Sequence, residues 1–241
     1  PGLTLLDIGC GWGGLAQHAA RHHGVRVTGI TVSREQQLLA EQRCAGLPVS
    51  IRLQDYRDLE GRFDRIVSVG MFEHVGPKNY GVYFDTAHRL LAPEGLFLLH
   101  TIGVDHASAR TDPWIEKYIF PGGKLPAAHE VARGFEPSFV LEDWHNFGAD
   151  YDPTLMAWHA RFEARWPEIA AAYGERFRRM WHYYLLSCAG FFRSRQGQLW
   201  QLVLTRRERR AVYRSVRPFG VGSPTPIGPA TLPTVAPGAA G

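Results

Sequence analysis

Short apolar runs alternate with stretches of helical periodicity through the first hundred residues, and this alternation constrains the fold more than any other feature. Because each helix carries the chain back to the start of the next strand, the alternation predicts a parallel sheet covered by helices on both faces. Ser33 and Asn79 are expected to cap two of the helices, and residues 93–95 to end the last one. The predicted strands are 3–8, 25–31, 49–53, 63–69 and 95–102, and the predicted helices are 13–23, 33–45 and 79–92.

Two later apolar runs, 139–144 and 199–205, are predicted to close the sheet as antiparallel strands. The segment 105–137 is interrupted by prolines and glycines, so we expect a partly helical insertion there. The stretch 153–193 has helical periodicity and many aromatic residues, and it is the candidate cover for a substrate.

These patterns predict one α/β domain over 1–217, a doubly wound, Rossmann-like seven-stranded sheet with helical insertions at about 104–138 and 151–195. Residues 218–241 contain no charged residue and many prolines and glycines, which predicts a disordered tail. The chain starts with Pro1 rather than Met and has no signal-peptide pattern, so we expect a fragment of a longer protein.

Composition excludes intrinsic membrane proteins and fully disordered chains. Only 21% of the 241 residues are charged, but no apolar run approaches the roughly 20 residues of a membrane span. The three cysteines, Cys10, Cys44 and Cys188, are an odd number without metal-ligand spacing, so we expect no disulfide framework and a reducing cytoplasm. The histidines have no zincin spacing either, so no metal site is expected.

Arginines are concentrated between Arg193 and Arg217, where the only acidic residue is Glu208. Arg keeps its charge in all surroundings and binds phosphate with two hydrogen bonds. Such a segment is compatible with a solvated surface, with anionic lipid head groups or with nucleic acid. No nucleic-acid motif accompanies the charge, so we expect no nucleic-acid partner.

A glycine-rich turn follows the first predicted strand, with Gly9, Gly11 and Gly14 at the start of a helix. Backbone N–H groups at such a junction bind nucleotide-like ligands, and the glycine spacing alone also fits a dinucleotide. Asp7 precedes the turn, where a carboxylate would repel a pyrophosphate. The second strand ends at 30–33 without the acid that a dinucleotide fold uses for the ribose. Both observations favour S-adenosylmethionine over NAD.

The sequence resembles the catalytic domain of the cyclopropane-fatty-acyl-phospholipid synthases, a branch of the class I S-adenosylmethionine-dependent methyltransferases. The resemblance extends from Leu3 to about Thr205, and its later motifs are more specific than the glycine turn. The motifs that carry it lie at 6–14, 29–33 with Gln36, 53–58, 63–76, 98–103, 114–123 and 142–151.

The resemblance implies a cofactor site for S-adenosylmethionine in which two glycines line the methionine and ribose and an acid holds the turn. A hydroxyl and an amide are expected to replace the ribose-binding carboxylate, and two further residues to lie by the adenine. The implied glycines are Gly9 and Gly11, and the implied acid is Asp7. Thr31 would provide the hydroxyl and Gln36 the amide, and Gln54 and Asp55 would lie by the adenine.

The family's motifs also imply a bound bicarbonate that acts as the base, held by Glu73, His100, the backbone of Ile102 and Tyr151. From the residues alone, Glu73 with His74 equally fits an exposed pair, His100 a core histidine and Tyr151 a loop cap. Aromatic faces are expected to stabilise a cation, whereas the aromatic residues of 158–192 are expected to be mostly core and without a catalytic role. The expected cation-stabilising residues are Phe72, Tyr118, Phe120, Trp144 and Phe147.

The resemblance implies transfer of a methylene carbon to the cis double bond of a phospholipid acyl chain, by a cytoplasmic protein that associates peripherally with the inner membrane surface. A methyl-branched or methylidene product, and a non-catalytic remnant that only binds cofactor or lipid, are the alternatives. Full-length relatives are expected to form a homodimer and to carry an upstream cysteine segment and an N-terminal lobe. We therefore expect weak or no activity from this chain alone.

Overall fold

The structure is a computed structural model that describes residues 1–108 and 111–215. The predicted tail, 218–241, lies outside the described residues. The strands are β1 (Thr4–Ile8), β2 (Arg26–Thr31), β3 (Val49–Leu53), β4 (Phe63–Val69), β5 (Leu91–Val104), β6 (Phe139–Asn146) and β7 (Gly197–Arg206). The helices are α1 (Gly14–His23), α2 (Arg34–Arg43), α3 (Tyr80–Leu90), α4 (Pro113–Tyr118), α5 (Ala128–Phe135) and α6 (Gly148–Arg193).

The seven strands that the described residues form make one sheet in the order β3-β2-β1-β4-β5-β7-β6. Strands β1 to β5 pair in parallel, whereas β7 runs antiparallel to both β5 and β6. The order reverses between β1 and β4, which in open α/β sheets creates a crevice at the carboxyl ends of the strands. The doubly wound seven-stranded sheet predicted from the sequence is confirmed.

Helices cover both faces of the sheet, as the near-continuous apolar strands require. One core cluster joins β1, β2 and β3 to α1 and α2. A larger cluster on the other face joins the central strands to α3 and α5. Because side chains alternate along a strand, neighbouring residues of β1 such as Leu5 and Leu6 belong to different clusters.

The long helix α6 is a hairpin whose two halves meet at Gly174, where φ is 72°. The two halves pack against each other, with Nε2 of His159 2.7 Å from Nδ1 of His182 and Arg178 paired to Glu163 at 2.7 Å. The hairpin leaves the sheet after β6 and returns at the start of β7. Both of its ends are therefore at the carboxyl edge of the parallel strands.

Several local predictions need correction. Ser33 caps α2 by accepting a hydrogen bond from the N–H of Gln36, but the Asn79 side chain makes no cap and instead donates to the carbonyl of Val75 at 2.8 Å. Helix α3 ends at Leu90, and β5 already begins at Leu91, with a register shift that accommodates the Pro-Glu-Gly segment. Helix α5 packs against α3 in the main core, so it is the regular crossover helix of the fold rather than part of an insertion.

The arginine-rich segment begins with Arg193 at the end of α6, but Arg206 and Arg207, at the end of β7, lie at the opposite edge of the sheet. The Arg206 guanidinium donates to the carbonyls of His88 and Leu91, which mark the start of β5. Arg207 donates to the carbonyl of Glu136. These guanidinium groups tie strand and helix ends together, and Arg217 lies outside the described residues. Within the described part of the chain, no helix combines the length and apolar character that a membrane crossing requires.

Two glycine substitutions test the packing around β5. A Cβ atom at Gly103 would overlap the buried ring of Trp200, whereas a Cβ at Gly81 in α3 meets nothing within 4 Å. We expect Gly103→Ala to lower the free energy of unfolding by about 1–3 kcal/mol, because overpacking a core strains it. Gly81→Ala should raise it by about 0.5 kcal/mol. Chemical denaturation of the two variants measures both values, and equal stability of the two would contradict the packing.

Candidate active site

The turn after β1 has the backbone geometry of a ligand-binding loop. Gly9 and Gly11 have φ values of 80° and 53°, a left-handed conformation that favours glycine. A Cβ at Gly9 would collide with Met71, whereas the space beside Gly11 is open to 4 Å. The N–H of Gly9 donates to the carbonyl of Ile30 at 3.0 Å. The loop is thus held against β2 while it leaves room for a ligand at Gly11.

Asp7 lies at the end of β1, directly below this turn, and it is almost completely buried. Its Oδ2 atom has no hydrogen-bond partner among residues 1–108 and 111–215. Burial raises the pKa of Asp7 to about 7. A carboxyl group in this state gains a charge partner when a ligand ammonium enters the crevice.

The other predicted cofactor residues lie at the ends of β2 and β3. The Thr31 hydroxyl donates to Oε1 of Gln36 at 2.6 Å, and the N–H of Gln54 donates to the Thr31 carbonyl at 2.9 Å. Asp55 pairs with Arg57 at 2.7 Å, and this hydrogen-bonded guanidinium holds the pKa of the Asp55 carboxyl below its usual range. The structure brings all seven predicted cofactor residues to the carboxyl edge of three neighbouring strands.

Glu73 lies in a short 3-10 turn, Phe72–His74, that follows β4. Its Oε1 accepts a hydrogen bond from the N–H of Ile102 at 2.7 Å. Its Oε2 is buried and unpaired within the described residues. Burial raises the pKa of Glu73, and the hydrogen bond from Ile102 opposes this only in part. Glu73 is 8% exposed, so the alternative of an exposed pair with His74 is wrong for the carboxyl group, although His74 itself is exposed.

His100 and Ile102 lie two residues apart on β5, so their side chains point to the same face of the sheet. Nδ1 of His100 is 3.1 Å from Nε2 of Gln201 on β7. Because an amide nitrogen donates, Nδ1 accepts, and the ring proton of neutral His100 lies on Nε2. Burial lowers the pKa of His100, which favours this neutral form. The N–H of Ile102 is occupied by Glu73 and so positions that carboxyl group.

Tyr151 lies in the first turn of α6 and packs edge-on against Phe192, with ring centroids 4.8 Å apart. It belongs to the cluster that joins α6 to Ile102 and Leu199. Burial raises the pKa of Tyr151, and the nearby Glu73 adds to this effect. The phenol therefore remains protonated and is an available donor beside the buried carboxyl group.

Two neighbours of Tyr151 have no predicted role. Tyr184 and Cys188 pack in the same cluster, and Tyr151 and Cys188 both contribute to the raised pKa of Tyr184. They lie on the second half of α6, far from Tyr151 in the sequence. No local sequence pattern therefore relates them to Tyr151. The periodicity of the helix was the only available signal, and it indicates only a buried face.

The structure places only some of the predicted cation-stabilising aromatic residues near the candidate active site. Phe72 is completely buried against Tyr80, and Trp144 packs on Trp200 of the same core cluster, so the expectation for these two is wrong. Phe147 lies in the cluster beside Ile102 and Tyr151. Most aromatic residues of 158–192 are buried or half-buried, as expected, although Trp158, Tyr173 and Tyr183 are exposed.

Residues 112–124 close the site from one side. The N–H of Lys124 donates to the Glu73 carbonyl at 2.8 Å, and Phe120 lies edge-on to Tyr184 at 6.1 Å. No three His, Cys, Asp or Glu side chains of the described ranges are grouped so that they could hold a metal ion.

This strand order, with a glycine turn after β1 and an open crevice beside it, defines a seven-stranded methyltransferase of the class that uses S-adenosylmethionine. The sequence matches the family model described as mycolic acid cyclopropane synthetase over residues 1–202. The chain belongs to this family.

Individual relatives agree with this assignment. The chain is 63% identical over 206 residues to the cyclopropane-fatty-acyl-phospholipid synthase of Escherichia coli, a match that covers 86% of the chain and 54% of that protein. It is 38% identical over 216 residues to the tuberculostearic acid methyltransferase UfaA1 of Mycobacterium tuberculosis, covering 85% of the chain and 50% of that protein. The chain therefore spans about half the length of the curated relatives it matches.

A solved structure of the mycolic acid cyclopropane synthase CmaA1, complexed with SAH and CTAB, superposes with a TM-score of 0.78 at 32% identity. The match covers 86% of this chain and 79% of that one. The fold of the described residues is therefore that of the solved family members.

The buried Asp7 predicts an unusual pH dependence of stability. Because the folded chain keeps a proton that the unfolded chain releases above pH 3.8, the free energy of unfolding should fall as the pH rises from 4 to 7. The fall is on the order of 4 kcal/mol, at 1.4 kcal/mol for each unit between the two pKa values.

Chemical denaturation of the cofactor-free protein at several pH values measures this slope. Asp7→Asn should flatten it, whereas Asp58→Asn, which changes an exposed carboxylate of the same edge, should leave it unchanged. An unaltered slope in Asp7→Asn would assign the proton to another group.

Proposed function

We propose that the chain transfers a methylene carbon from S-adenosylmethionine to the cis double bond of an unsaturated phospholipid acyl chain. The products are a cyclopropane fatty acyl chain and S-adenosylhomocysteine. The observation that carries this proposal is the 63% identity to the Escherichia coli cyclopropane-fatty-acyl-phospholipid synthase over 206 residues. The buried, half-satisfied Glu73 next to Tyr151 supports it from the structure.

Cofactor binding is assigned to the carboxyl edge of β1, β2 and β3. The open space at Gly11 admits the ligand backbone, and Asp7 provides a carboxyl group for the ammonium. Thr31 and Gln36 provide neutral hydrogen bonds for the ribose. The residues assigned to this site are Asp7, Gly9, Gly11, Thr31, Gln36, Gln54 and Asp55.

An alkene is a weak nucleophile, so the main task of the pocket is to hold the double bond in line with the sulfonium methyl and to exclude water. Addition leaves a positive charge on the acyl chain, and ring closure requires the loss of a proton from the transferred methyl group. The ring faces of Phe147 and Tyr151 lie close enough to the cluster around Ile102 to stabilise that charge.

Bicarbonate fits the donor set around Glu73. Tyr151 donates its phenolic proton, neutral His100 donates from Nε2, and a protonated Glu73 donates from its unpaired Oε2. Ile102 acts through its N–H, which holds the Glu73 carboxyl group in place. When bound, the ion would supply a base for the departing proton in a cleft where no carboxylate can attack the cation.

A second candidate is a related fatty-acyl methyltransferase, which the 38% identity to a tuberculostearic acid methyltransferase favours. The same cation gives a methyl-branched alkene when a proton leaves the chain carbon next to the cationic one. It gives a methylidene chain when a hydride first shifts from the methylated carbon to the cationic carbon and a methyl proton then leaves. A third reading is a chain that binds cofactor and lipid without turnover. We assign the protein to the cytoplasm, with peripheral association at the inner membrane surface and a homodimer in the full-length protein.

Product analysis distinguishes these readings. Vesicles that contain cis-unsaturated phospholipid are incubated with the chain and labelled S-adenosylmethionine, and the fatty esters are then analysed by mass and chromatography. We expect the product esters to gain one CH2 unit and to lose one C=C double bond, since a ring replaces it. A methyl-branched ester would favour the second candidate, and bound cofactor without any product would favour the third.

Replacing Glu73 tests the assigned role of its carboxyl group. Glu73→Gln keeps the shape, the hydrogen bond from Ile102 and a donor, but it removes the titratable proton that the carboxyl group can share with a bound anion. We therefore expect unchanged binding of S-adenosylhomocysteine and turnover at least tenfold lower, about 1.4 kcal/mol in the barrier. Calorimetry and the labelled assay measure the two effects. Glu60→Gln, an exposed control, should behave as the unchanged protein. Full turnover in Glu73→Gln would remove this residue from the site.

A further inference from the structure

An exposed aromatic surface lies beside the candidate active site, on α4 and the second half of α6. We call it the α4–α6 surface. Trp114 packs edge-on against Tyr183 with ring centroids 4.5 Å apart, which joins the two helices. Large fractions of its apolar side chains are exposed, with 40% for Tyr118, 42% for Phe120, 53% for Tyr183 and 43% for Leu186. The α4–α6 surface comprises Trp114, Lys117, Tyr118, Phe120, Tyr183 and Leu186.

The chemical character of this surface fits the interface of a phospholipid bilayer. Trp and Tyr have an apolar body and a polar tip, and they concentrate at the depth of lipid head groups. The Lys117 ammonium lies 5.1 Å from the centre of the Tyr118 ring, and Arg179 is exposed one helical turn before Tyr183. These two cations are placed to meet lipid phosphates, although the exposed Glu116 offsets part of their charge.

The α4–α6 surface is continuous with the candidate active site. Phe120 contacts His74, which is the neighbour of Glu73, and it also contacts Tyr184. Tyr151 in turn contributes to the raised pKa of Tyr184. An acyl chain that leaves the bilayer here would reach the cleft of Glu73 beside the contact between Phe120 and Tyr184. Half of the hydrocarbon core measures about 15 Å, which limits how far a chain can reach while its head group stays at the membrane.

The arginines at and after the end of β7 do not meet this distance requirement. Leu199 is opposite Ile102 in the sheet, and Arg206 is seven residues further along β7, which is about 23 Å at the rise of an extended strand. The Arg206 and Arg207 guanidinium groups are also bonded to carbonyl oxygens of the chain. A bilayer on that edge would leave the acyl chain on the wrong side of the sheet.

We propose that the α4–α6 surface is the face with which the protein docks on a phospholipid bilayer, so that the acyl chain enters beside the contact between Phe120 and Tyr184. The choice of a bilayer as the partner rests on the proposed function. Self-association through the same aromatic surface is the competing occupant, and the experiment below distinguishes the two.

Sedimentation with vesicles of phosphatidylethanolamine and phosphatidylglycerol tests the apolar part of the surface. Tyr183→Ser/Leu186→Ser should bind these vesicles at least tenfold more weakly than the unchanged chain, because less apolar area enters the interface. Leu38→Ser/Val82→Ser, at positions that are 55% and 49% exposed on α2 and α3, should bind like the unchanged chain. Unchanged affinity for S-adenosylhomocysteine confirms that each variant is folded.

The charged part is tested with two matched pairs. Lys117→Gln/Arg179→Gln should bind about tenfold more weakly and with less dependence on salt, whereas Arg210→Gln/Arg214→Gln on the opposite edge should not change binding. The inference is overturned if the second pair is the one that loses binding, if the Tyr183/Leu186 variant binds normally, or if the unchanged chain does not bind vesicles.

Two further readouts separate this inference from its competitor and from the proposed function. Light scattering without lipid should give the same mass for the unchanged chain and for Tyr183→Ser/Leu186→Ser, and a loss of dimer in the variant would overturn the inference in favour of self-association. Turnover is also measured on detergent-dispersed unsaturated phospholipid. Vesicle binding through the α4–α6 surface without any product would uphold docking and reject the proposed function.

Discussion

The hydrogen bond from the N–H of Ile102 to Glu73 is the contact on which the candidate active site depends. It bridges the turn after β4 and the part of β5 that extends beyond β4, where the N–H has no strand partner. The same bond fixes one carboxyl oxygen and leaves the other buried and unpaired within the described chain. Burial of a carboxyl group in this way favours its protonated form, and this makes Glu73 a donor rather than a competing anion.

The two ends of the parallel strands differ in role: the candidate active site lies at the carboxyl edge, and contacts that stabilise the fold lie at the other edge. At the carboxyl edge, the loops after β1, β2 and β3 carry the residues proposed to bind the cofactor, and the α6 hairpin covers the adjacent part of β5 and β7. At the other edge, Arg206 and Arg207 bond to the ends of helices and strands. The arginines at the end of β7 therefore stabilise the edge of the sheet that is far from the candidate active site. The aromatic residues of α4 and α6 lie beside that site.

Local patterns were sufficient for most of the fold because each depends on few neighbours. Strand-length apolar runs, the Ser33 cap and the glycine turn were all recognisable, and their positions agree with the structure within a few residues. The errors are tertiary in origin. Asn79 has a cap-forming side chain that bonds elsewhere, β5 absorbs a Pro-Glu-Gly segment through a register shift, and α5 belongs to the main core rather than to an insertion.

The sequence by itself determined the alternation of strands and helices, the position of the glycine turn and, through its resemblance to a family, the residues Glu73, His100, Ile102 and Tyr151. Only the tertiary structure decided that the Ile102 N–H is bound to Glu73 and that Phe72 and Trp144 are core. It also decided that Arg206 and Arg207 lie on the edge of the sheet far from the candidate active site. Periodicity reports which side of one element is buried, but the partner on that side belongs to a distant part of the chain. Such contacts depend on how the sheet is ordered and how the α6 hairpin folds back, and no local pattern encodes either.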